Sequence, residues 1–263
     1  MDLTEFASYF LELSSEQRLS ILQKLDEKGQ KLSDIAKILD ATAPEVHRNL
    51  ERLERNNLIK KSTENKYAID DLGKVVLCLA PTIGFAIKNK DFFSTHPIKN
   101  IPKKFIVRLA ELEDSKLMTS YVNSFEEWKN IYNSAEKFIQ NILYEVPYFD
   151  EFVEPLYDKV SKGVKIRSIF YEKAMVSSGR NSVLKKFKKY IDSGDIQRKM
   201  IRELPIAIIM NESKGCVMFS TSDNKIDSAN TFVGTSPEFL DWCSDYFEYC
   251  WSNSHSFVES KLT

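Results

Sequence analysis

Two arginines one helical turn apart, Arg48 and Arg52, carry the most distinctive chemistry in this sequence. They lie in the stretch "LSDIAKILDATAPEVHRNLERLERNNLIKK", 32–61, where apolar residues recur at helical spacing. A guanidinium group can donate two parallel hydrogen bonds to the edge of a guanine, or one to a phosphate oxygen. We therefore expect helix 43–56 to present both arginines on one face that a nucleic-acid duplex could approach.

Further polar groups of the same region could support such a contact. A hydroxyl near the start of the helix could bind a phosphate oxygen, as could the first helix amides. Lysines on a following hairpin would add phosphate contacts, which position a protein on DNA without reading its sequence. The candidate DNA-binding residues are Thr42, His47, Arg48, Arg52, Lys60, Lys61 and Lys66.

The charge balance leaves an alternative open. The chain has a net charge of −1, so it has no general attraction to nucleic acid or to anionic membranes. Within 41–70, basic residues barely outnumber acidic ones, and Glu51 and Glu54 could simply pair with neighbouring arginines. Such a module could instead dock another protein within a larger complex.

The elements that must position these residues form a recognisable order. Periodicity and capping residues predict helices at 2–13, 15–28, 33–39 and 43–56. A β-hairpin follows in "LIKKSTENKYAID", with Lys60, Lys61 and Lys66 pointing outward, and then a long apolar helix at 71–89. Three helices and a two-stranded wing are typical of a winged helix-turn-helix, whose third helix lies in the major groove.

The second half of the chain predicts a different architecture. Helices alternate with strands such as "VKIRSIFYE", "PIAIIMN" and "CVMFSTS" from about residue 105 to the end. This alternation predicts an α/β domain with a largely parallel sheet covered by helices on both faces, so the whole chain is of mixed α/β (α+β) class. We expect a DNA-binding domain at 1–90, a proline-containing connector at 91–104 and an α/β domain at 105–263.

Ligands of α/β sheets bind beyond the carboxyl ends of parallel strands. At the end of the predicted strand 164–171, Phe170 and Tyr171 precede a loop, 174–180, that ends in Arg180. These three residues are the candidate ligand-binding set, an apolar pocket with one charge. They could equally pack the edge of the sheet, and Arg167 and Arg198 could be either surface residues or an anion site.

Catalytic and cofactor motifs are missing from the sequence. It contains no GxGxxG, no glycine-rich phosphate loop and no G-x-S-x-G. Cys78, Cys216, Cys243 and Cys250 form no C-x-x-C pair, so we expect buried free thiols and neither a metal nor a cofactor. We expect no enzymatic activity.

The sequence shows no sign of export or membrane insertion. Its amino terminus carries acidic residues and no cleavage site of the kind that follows a signal peptide. The longest apolar run, 75–87, is too short to span a bilayer and contains Pro81 and Gly84. With unpaired cysteines, these features favour a cytoplasmic protein.

Two stretches of the chain resemble known regulator families. The pattern of "LSDIAKIL", then "VHRNLERLERNNLI", then "YAIDDLG" resembles the winged-helix domain of archaeal arsenic-repressor-like regulators. Beyond about residue 100, "GVKIRSIF" and "EFLDWCSDYFEYCW" are similar to the middle domain of an archaeal methanogenesis-regulator family, thought to be related to the sensor domain of TrmB-type regulators. The resemblance implies a DNA-binding transcription regulator, with a sensor domain that binds an unknown small-molecule effector.

The same resemblance bears on catalysis and assembly. TrmB-type sensors resemble phospholipase-D-like enzymes, which need an H-x-K motif, and none of His47, His96 and His255 begins one. In similar regulators, the equivalents of helices 2–13 and 71–89 pair two subunits, which implies a homodimer on double-stranded DNA. The alternative is that the second domain covers the apolar helix within a monomer.

Overall fold

The computed structural model describes residues 2–146, 149–176 and 180–259, without the side chains of Glu5, Met175, Val176 and 180–182. The chain divides into two compact units, Met1–Ile83 and Gly84–Thr263. The sequence placed this division slightly later, between 90 and 100. Each unit has a hydrophobic core of its own, and each is described separately below.

The first unit begins with two capped helices. They are α1 (Leu3–Leu13) and α2 (Glu16–Glu27). The side chain of Asp2 accepts a hydrogen bond from the Thr4 amide, and Ser15 accepts one from the Arg18 amide. Such bonds satisfy amides that have no partner within the helix. Both helices confirm the periodicity of the sequence to within a residue or two.

The next two helices form the helix-turn-helix. They are α3 (Leu32–Ile38) and α4 (Ala43–Arg55), joined by a turn in which Asp40 has a φ of 48°. Val46, Leu50 and Leu53 of α4 are almost fully buried among α2 and α3. Because these three residues recur at helical spacing, the opposite side of α4 is left in solvent.

The wing is a small antiparallel sheet. Strands β2 (Ile59–Lys61) and β3 (Lys66–Ile69) pair directly, and a two-residue strand β1 (Gln30–Lys31), which the sequence did not predict, pairs with β3. Ile59, Tyr67 and Ile69 are buried, as predicted from their alternation with the lysines. Helix α5 (Asp71–Lys88) follows and crosses the boundary between the two units.

One buried carboxylate fixes α1 in the first unit. Glu12 is 7% exposed and accepts two hydrogen bonds from Arg52 of α4, from Nε and from Nη2, each at 2.8 Å. Its Oε2 also lies 3.2 Å from Nε of Arg18 in α2. The amino end of α2 and the last turn of α4 are therefore tied to the carboxyl end of α1 through one side chain.

Arg18 completes this connection. Its Nε and Nη2 donate to the carbonyls of Glu12 and Leu11, at 2.7 and 2.9 Å, and its Nη1 donates to Oδ1 of Asn49 at 3.3 Å. The last carbonyls of a helix lack partners within the helix, and a cation near them is favourable. We call Glu12, Arg18 and Arg52 the α1 clamp.

The second unit, which begins at Gly84, includes the stretch that was expected to be a connector. Residues 91–104 contain most of α6 (Lys90–Thr95) and the start of α7 (Lys103–Ile106), with a 3-10 helix at Leu109–Leu112. Phe92 and Ile101 are buried in the core, so the connector prediction was wrong. The two prolines had suggested a linker, but Pro102 is the residue immediately before α7 and Pro97 lies between the short helices.

The main sheet of the second unit has eight strands, in the order β11-β7-β6-β5-β8-β9-β10-β4. In chain order the strands and their helices are β4 (Lys116–Met118), α8 (Tyr121–Ser134), β5 (Phe138–Val146), α9 (Asp150–Ser161), β6 (Lys165–Val176), α10 (Arg180–Asp192), β7 (Ile196–Ile201), β8 (Ile206–Asn211), β9 (Gly215–Ser220), β10 (Ile226–Gly234), α11 (Pro237–Asn253) and β11 (His255–Ser256).

The sheet is mixed, so the expectation of a largely parallel sheet holds only for three neighbouring strands on one side of its centre. Strands β5, β6 and β7 are parallel, and helices α9 and α10 supply their crossovers. The other pairings in the sheet are antiparallel. Short turns connect β8 to β9 and β9 to β10, and such turns can join only antiparallel neighbours. The α/β class itself is confirmed.

Two hydrophobic cores lie on the two faces of this sheet. One contains residues of α8, α9 and α10, including Trp128, Phe152 and Phe187. The other contains α6, α7 and α11, including Phe105 and Trp242. In β5, Ile139 and Leu143 join the first core and Ile142 joins the second. This alternation is the expected result of strand geometry.

Among the described residues, no helix is long and apolar enough to cross a bilayer. The cysteines are unpaired: Cys216, Cys243 and Cys250 are buried and Cys78 is exposed. No group of three or more potential metal-binding side chains occurs in the described part of the chain.

Two glycines of α5, Gly73 in the first unit and Gly84 at the start of the second, provide a matched test of packing. A Cβ at Gly73 would lie 2.2 Å from the Leu58 carbonyl oxygen and 2.7 Å from Cγ1 of Ile69, whereas one at Gly84 meets nothing within 4 Å. We expect Gly73→Ala to lower the free energy of unfolding by about 1–3 kcal/mol. Gly84→Ala should raise it by up to about 1 kcal/mol, because alanine favours helix. Urea unfolding followed by circular dichroism measures both, and equal effects would refute the packing argument.

The α1 clamp makes a prediction about pH. The hydrogen bond from Arg52, reinforced by the charges of Arg52 and Arg18, lowers the pKa of Glu12 against the opposing effect of burial. A depressed carboxyl pKa stabilises the fold above the unfolded value of about 4.3, and this contribution is lost as the pH falls through the lower folded value. Glu12→Gln should therefore cost about 1–3 kcal/mol at pH 7, because buried Arg18 loses its carboxylate partner.

The control for this prediction is Arg52→Gln, which leaves the contact between Glu12 and Arg18 in place and should destabilise less. The difference between wild type and Glu12→Gln should shrink below about pH 4. Unfolding by urea at several pH values measures it. A difference that stayed constant across this range would show that the charge of Glu12 contributes nothing.

Candidate functional site

The outer face of α4 is the first part of the candidate site. His47 and Arg48 are both exposed there, on the side opposite the buried leucines. Nδ1 of His47 lies 3.7 Å from the carboxylate of Glu51, one turn further along. Among the described residues, no carboxylate lies within ion-pair distance of Arg48. Arg48 can therefore turn toward a ligand without breaking an ion pair.

Arg52 has a different role from the one that its spacing suggested. Its side chain is partly exposed, but Nε and Nη2 both donate to Glu12 in the α1 clamp. A guanidinium held in this way has its forked edge occupied, and that is the edge that would bind guanine. Arg52 thus connects α4 to α1.

The amino end of α4 carries the next predicted residue. Thr42 precedes the helix, is exposed, and makes no capping hydrogen bond through its side chain. The first amides of α4 point the same way along the axis, and helix amino ends attract anions. Arg55, in the last turn of α4, is also exposed and extends the basic character of this face.

The lysines of the wing are exposed and only weakly engaged. Nζ of Lys60 lies 3.2 Å from Oδ1 of Asp70, and Nζ of Lys66 lies 3.0 Å from Oε2 of Glu64. Lys61 lies over the ring of Tyr67, with Nζ 5.4 Å from its centre. Surface ion pairs of this kind contribute little to stability, so a phosphate could replace the carboxylates at small cost.

A second candidate site lies in the core of the second unit. Phe170 lines a cavity of about 100 Å³ between the sheet and helices α8, α9 and α10. Tyr171 packs against the same core but does not line the cavity. Of the predicted loop 174–180, Ala174 to Val176 belong to β6, while 177–179 and the side chain of Arg180 lie outside the described residues.

The sequence did not identify the polar residues of this cavity as a group. Asn141, Ser168 and Arg198 line it from three neighbouring strands. Each is a polar residue on the otherwise apolar side of its strand. This interruption of the apolar alternation is visible in "FIQNILYEV" and "VKIRSIF". Their proximity depends on the register between strands, which a single sequence does not show.

The histidines lie in separate places, as polar contacts within the fold. His96 is 3% exposed, its Nδ1 lies 2.9 Å from the Phe92 carbonyl, and its Nε2 lies 3.2 Å from Oδ2 of Asp227. His255 lies beside Glu172, and His47 is on α4. The three imidazoles thus lie beside three different carboxylates, those of Asp227, Glu172 and Glu51.

Comparisons with solved structures yield distant similarities. TrmBL2, described as an archaeal chromatin protein with a novel mode of DNA binding, is 13% identical over 92% of both chains, with a TM-score of 0.41. NucT from Helicobacter pylori is 12% identical over 54% of this chain and 97% of its own, with a TM-score of 0.37. Nuc from Salmonella typhimurium, a phospholipase D family member, is 14% identical over 51% of this chain and 91% of its own, also at 0.37. These scores are too low to carry an argument about function.

Sequence comparison is more informative about family. No curated protein matches the chain. The family model of the methanogenesis regulatory protein FilR1, middle domain, matches residues 118–253, from the end of β4 through α11. Since this match spans more than half of the 263 residues, the chain belongs to the family of the FilR1 middle domain.

Proposed function

We propose that the protein is a DNA-binding transcription regulator whose first unit contacts duplex DNA through α4 and the wing. The observation that carries the proposal is the exposed face of α4, where Arg48 has no ion-pair partner among the described residues. Membership in a regulatory-protein family supports the same role. The proposal includes no catalytic step.

The position of each residue determines which part of the DNA it contacts. Arg48 and His47 contact base edges or phosphates from α4, and Thr42 binds a phosphate oxygen at its amino end. Lys60, Lys61 and Lys66 contact phosphates from the wing and fix the orientation of the duplex. Arg52 acts indirectly, because its bond to Glu12 sets where α4 lies relative to α1.

A homodimer is the second part of the proposal. Apolar side chains are exposed along one stripe of α5 and on α1, where a monomer would leave them in water. The stripe on α5 consists of Leu72, Val75, Leu79 and Ile83, and the exposed residues of α1 are Leu3, Phe6, Phe10 and Leu11. Pairing two copies through these helices would bury this surface and double the basic surface offered to DNA.

Sensing is the third part. The cavity of the second unit offers a place for a small-molecule effector, with Phe170 on its wall. An effector changes DNA binding only if it has different affinities for two states of the protein. We propose that such an effector favours one spacing of the two α4 helices in the dimer.

The DNA-binding proposal predicts a specific loss in Arg48→Ala. Removing one base or phosphate contact from each subunit should weaken binding to the protein's preferred fragment about tenfold or more. Lys61→Ala should weaken binding to all fragments and lower the salt dependence by about one ion per site. Gel-shift titrations measure both, with fragments selected from a genomic pool by the wild-type protein.

Arg202→Ala is the matched control, because Arg202 is a highly exposed arginine of the second unit. It should bind DNA as the wild type does. If Arg48→Ala folds normally and also binds as the wild type does, α4 does not face the duplex. If the wild-type protein selects no fragment at all, the result favours the alternative that this unit docks another protein.

The homodimer predicts the effect of a charge placed on α5. Leu79 is 48% exposed in the middle of the stripe, so Leu79→Glu should leave the monomer folded and split the dimer, since two charges would be buried at the interface. Val122→Glu, at an exposed site on α8, is the control and should remain dimeric. Sedimentation equilibrium measures the mass. A wild type that sediments as a monomer would contradict this part of the proposal.

A further inference from the structure

The cavity of the second unit has a chemical character of its own. We infer that it binds a short-chain carboxylate, with the apolar chain among the helices and the carboxylate on the sheet; this inference rests on the sensing role proposed above.

The lining is apolar on the side of the helices. Trp128 and Tyr132 of α8, Leu156 of α9 and Phe187 of α10 face strands β5 to β7 across the cavity. Among the described lining residues, Arg198 is the one with a charged side chain. An apolar space whose charge is positive favours an apolar molecule with a negative head over a neutral or cationic one.

A row of three polar side chains crosses the sheet side of the cavity. Asn141 of β5, Ser168 of β6 and Arg198 of β7 occupy the same register across the parallel strands. Parallel strands in register place such side chains on one face, one strand spacing apart. The three residues together offer an amide, a hydroxyl and a guanidinium to a single small group.

The side chain of Asn141 is buried with its amide oxygen unsatisfied. Asn141 is 1% exposed, its Nδ2 donates to the hydroxyl of Tyr132 at 3.1 Å, and its Oδ1 has no hydrogen-bond partner among the described residues. Buried polar atoms normally have partners, so an orphan of this kind points to an absent ligand. If the amide turns over, the hydroxyl of Tyr132 donates to Oδ1, and Nδ2 faces the cavity as a donor for a carboxylate.

Arg198 already holds a carboxylate that a ligand can replace. Its Nη1 lies 3.2 Å from Oε2 of Glu259, and its guanidinium stacks on the ring of Phe257 at 4.1 Å. The side chain of Arg198 is 20% exposed and that of Glu259 is 42% exposed. A ligand carboxylate would take the place of that of Glu259, and the stack on Phe257 would keep the guanidinium in position.

The size of the cavity limits the length of the ligand's alkyl chain. Its volume is about 100 Å³. An apolar cavity of about 150 Å³ in a protein core holds a benzene molecule, so this space suits a chain of about four to six carbons. The polar row at one side leaves the apolar remainder for that chain.

The test uses sodium butanoate and sodium hexanoate as probes, with 1-hexanol and hexylamine as neutral and cationic counterparts. We expect a carboxylate to raise the unfolding temperature of the full chain and to bind in isothermal titration calorimetry. The alcohol and the amine should bind at least about tenfold more weakly, because they cannot form charge-assisted bonds with Arg198.

A pair of arginine variants locates the site. Arg198→Met should weaken carboxylate binding at least about tenfold. Arg167→Met is the matched control: its side chain is 25% exposed, pairs with Glu248 and stacks on Trp251 at 4.2 Å, on the opposite face of the same sheet. It should bind as the wild type does. Ser168→Leu should abolish binding by filling the cavity, with the fold checked by circular dichroism.

Several results would overturn the inference. They are the absence of carboxylate binding by folded wild-type protein, equal losses in the two arginine variants, or equal binding of hexanol. DNA binding measured without any carboxylate keeps the two proposals apart. A protein that selects DNA but binds neither carboxylate refutes only this inference, whereas one that binds a carboxylate but no DNA refutes only the DNA-binding role.

Discussion

The arrangement of the first unit depends on one buried carboxylate, that of Glu12. Arg18 of α2 and Arg52 of α4 both converge on it, and Arg18 also satisfies two carbonyls at the end of α1. A charge at this depth is stable only when it is paired, so α1 cannot move without breaking contacts to both other helices. If α1 takes part in a dimer, the same contacts connect the dimer interface to α4, the helix that we propose contacts DNA.

The clamp also changes which arginine is available for recognition. A sequence does not distinguish two arginines one turn apart on a helix. In the structure, Nε and Nη2 of Arg52 donate to Glu12, whereas Arg48 has no carboxylate partner among the described residues. The second unit shows a similar effect. Successive side chains of its strands enter two different cores. On one face of the sheet, the register between strands places Asn141, Ser168 and Arg198 in a row. In both units, chemistry depends on which neighbours a side chain meets.

Local patterns predicted most of the elements correctly. Helices α1 to α4, the wing, β5 to β9 and α11 follow from periodicity, capping residues and alternation, which are properties of neighbouring residues in the chain. The expected connector at 91–104 was wrong because Pro97 and Pro102 flank short helices whose phenylalanines enter the core. Strands β4 and β11 were missed because they are very short and pair with strands far away in the sequence, and β10 was missed because an irregularity between Ile226 and Thr231 interrupts its pairing with β9.

The sequence by itself determined the class of the protein: a winged helix followed by an α/β unit, with an exposed basic residue, Arg48, on the third helix. These features depend on the spacing of apolar and charged residues within one element, and that spacing is visible in the chain. The tertiary structure alone decided that Arg52 is held by Glu12, that the sheet is parallel only among β5, β6 and β7, and that three polar residues line one cavity. Each of these depends on contacts between residues far apart in sequence, which only packing brings together.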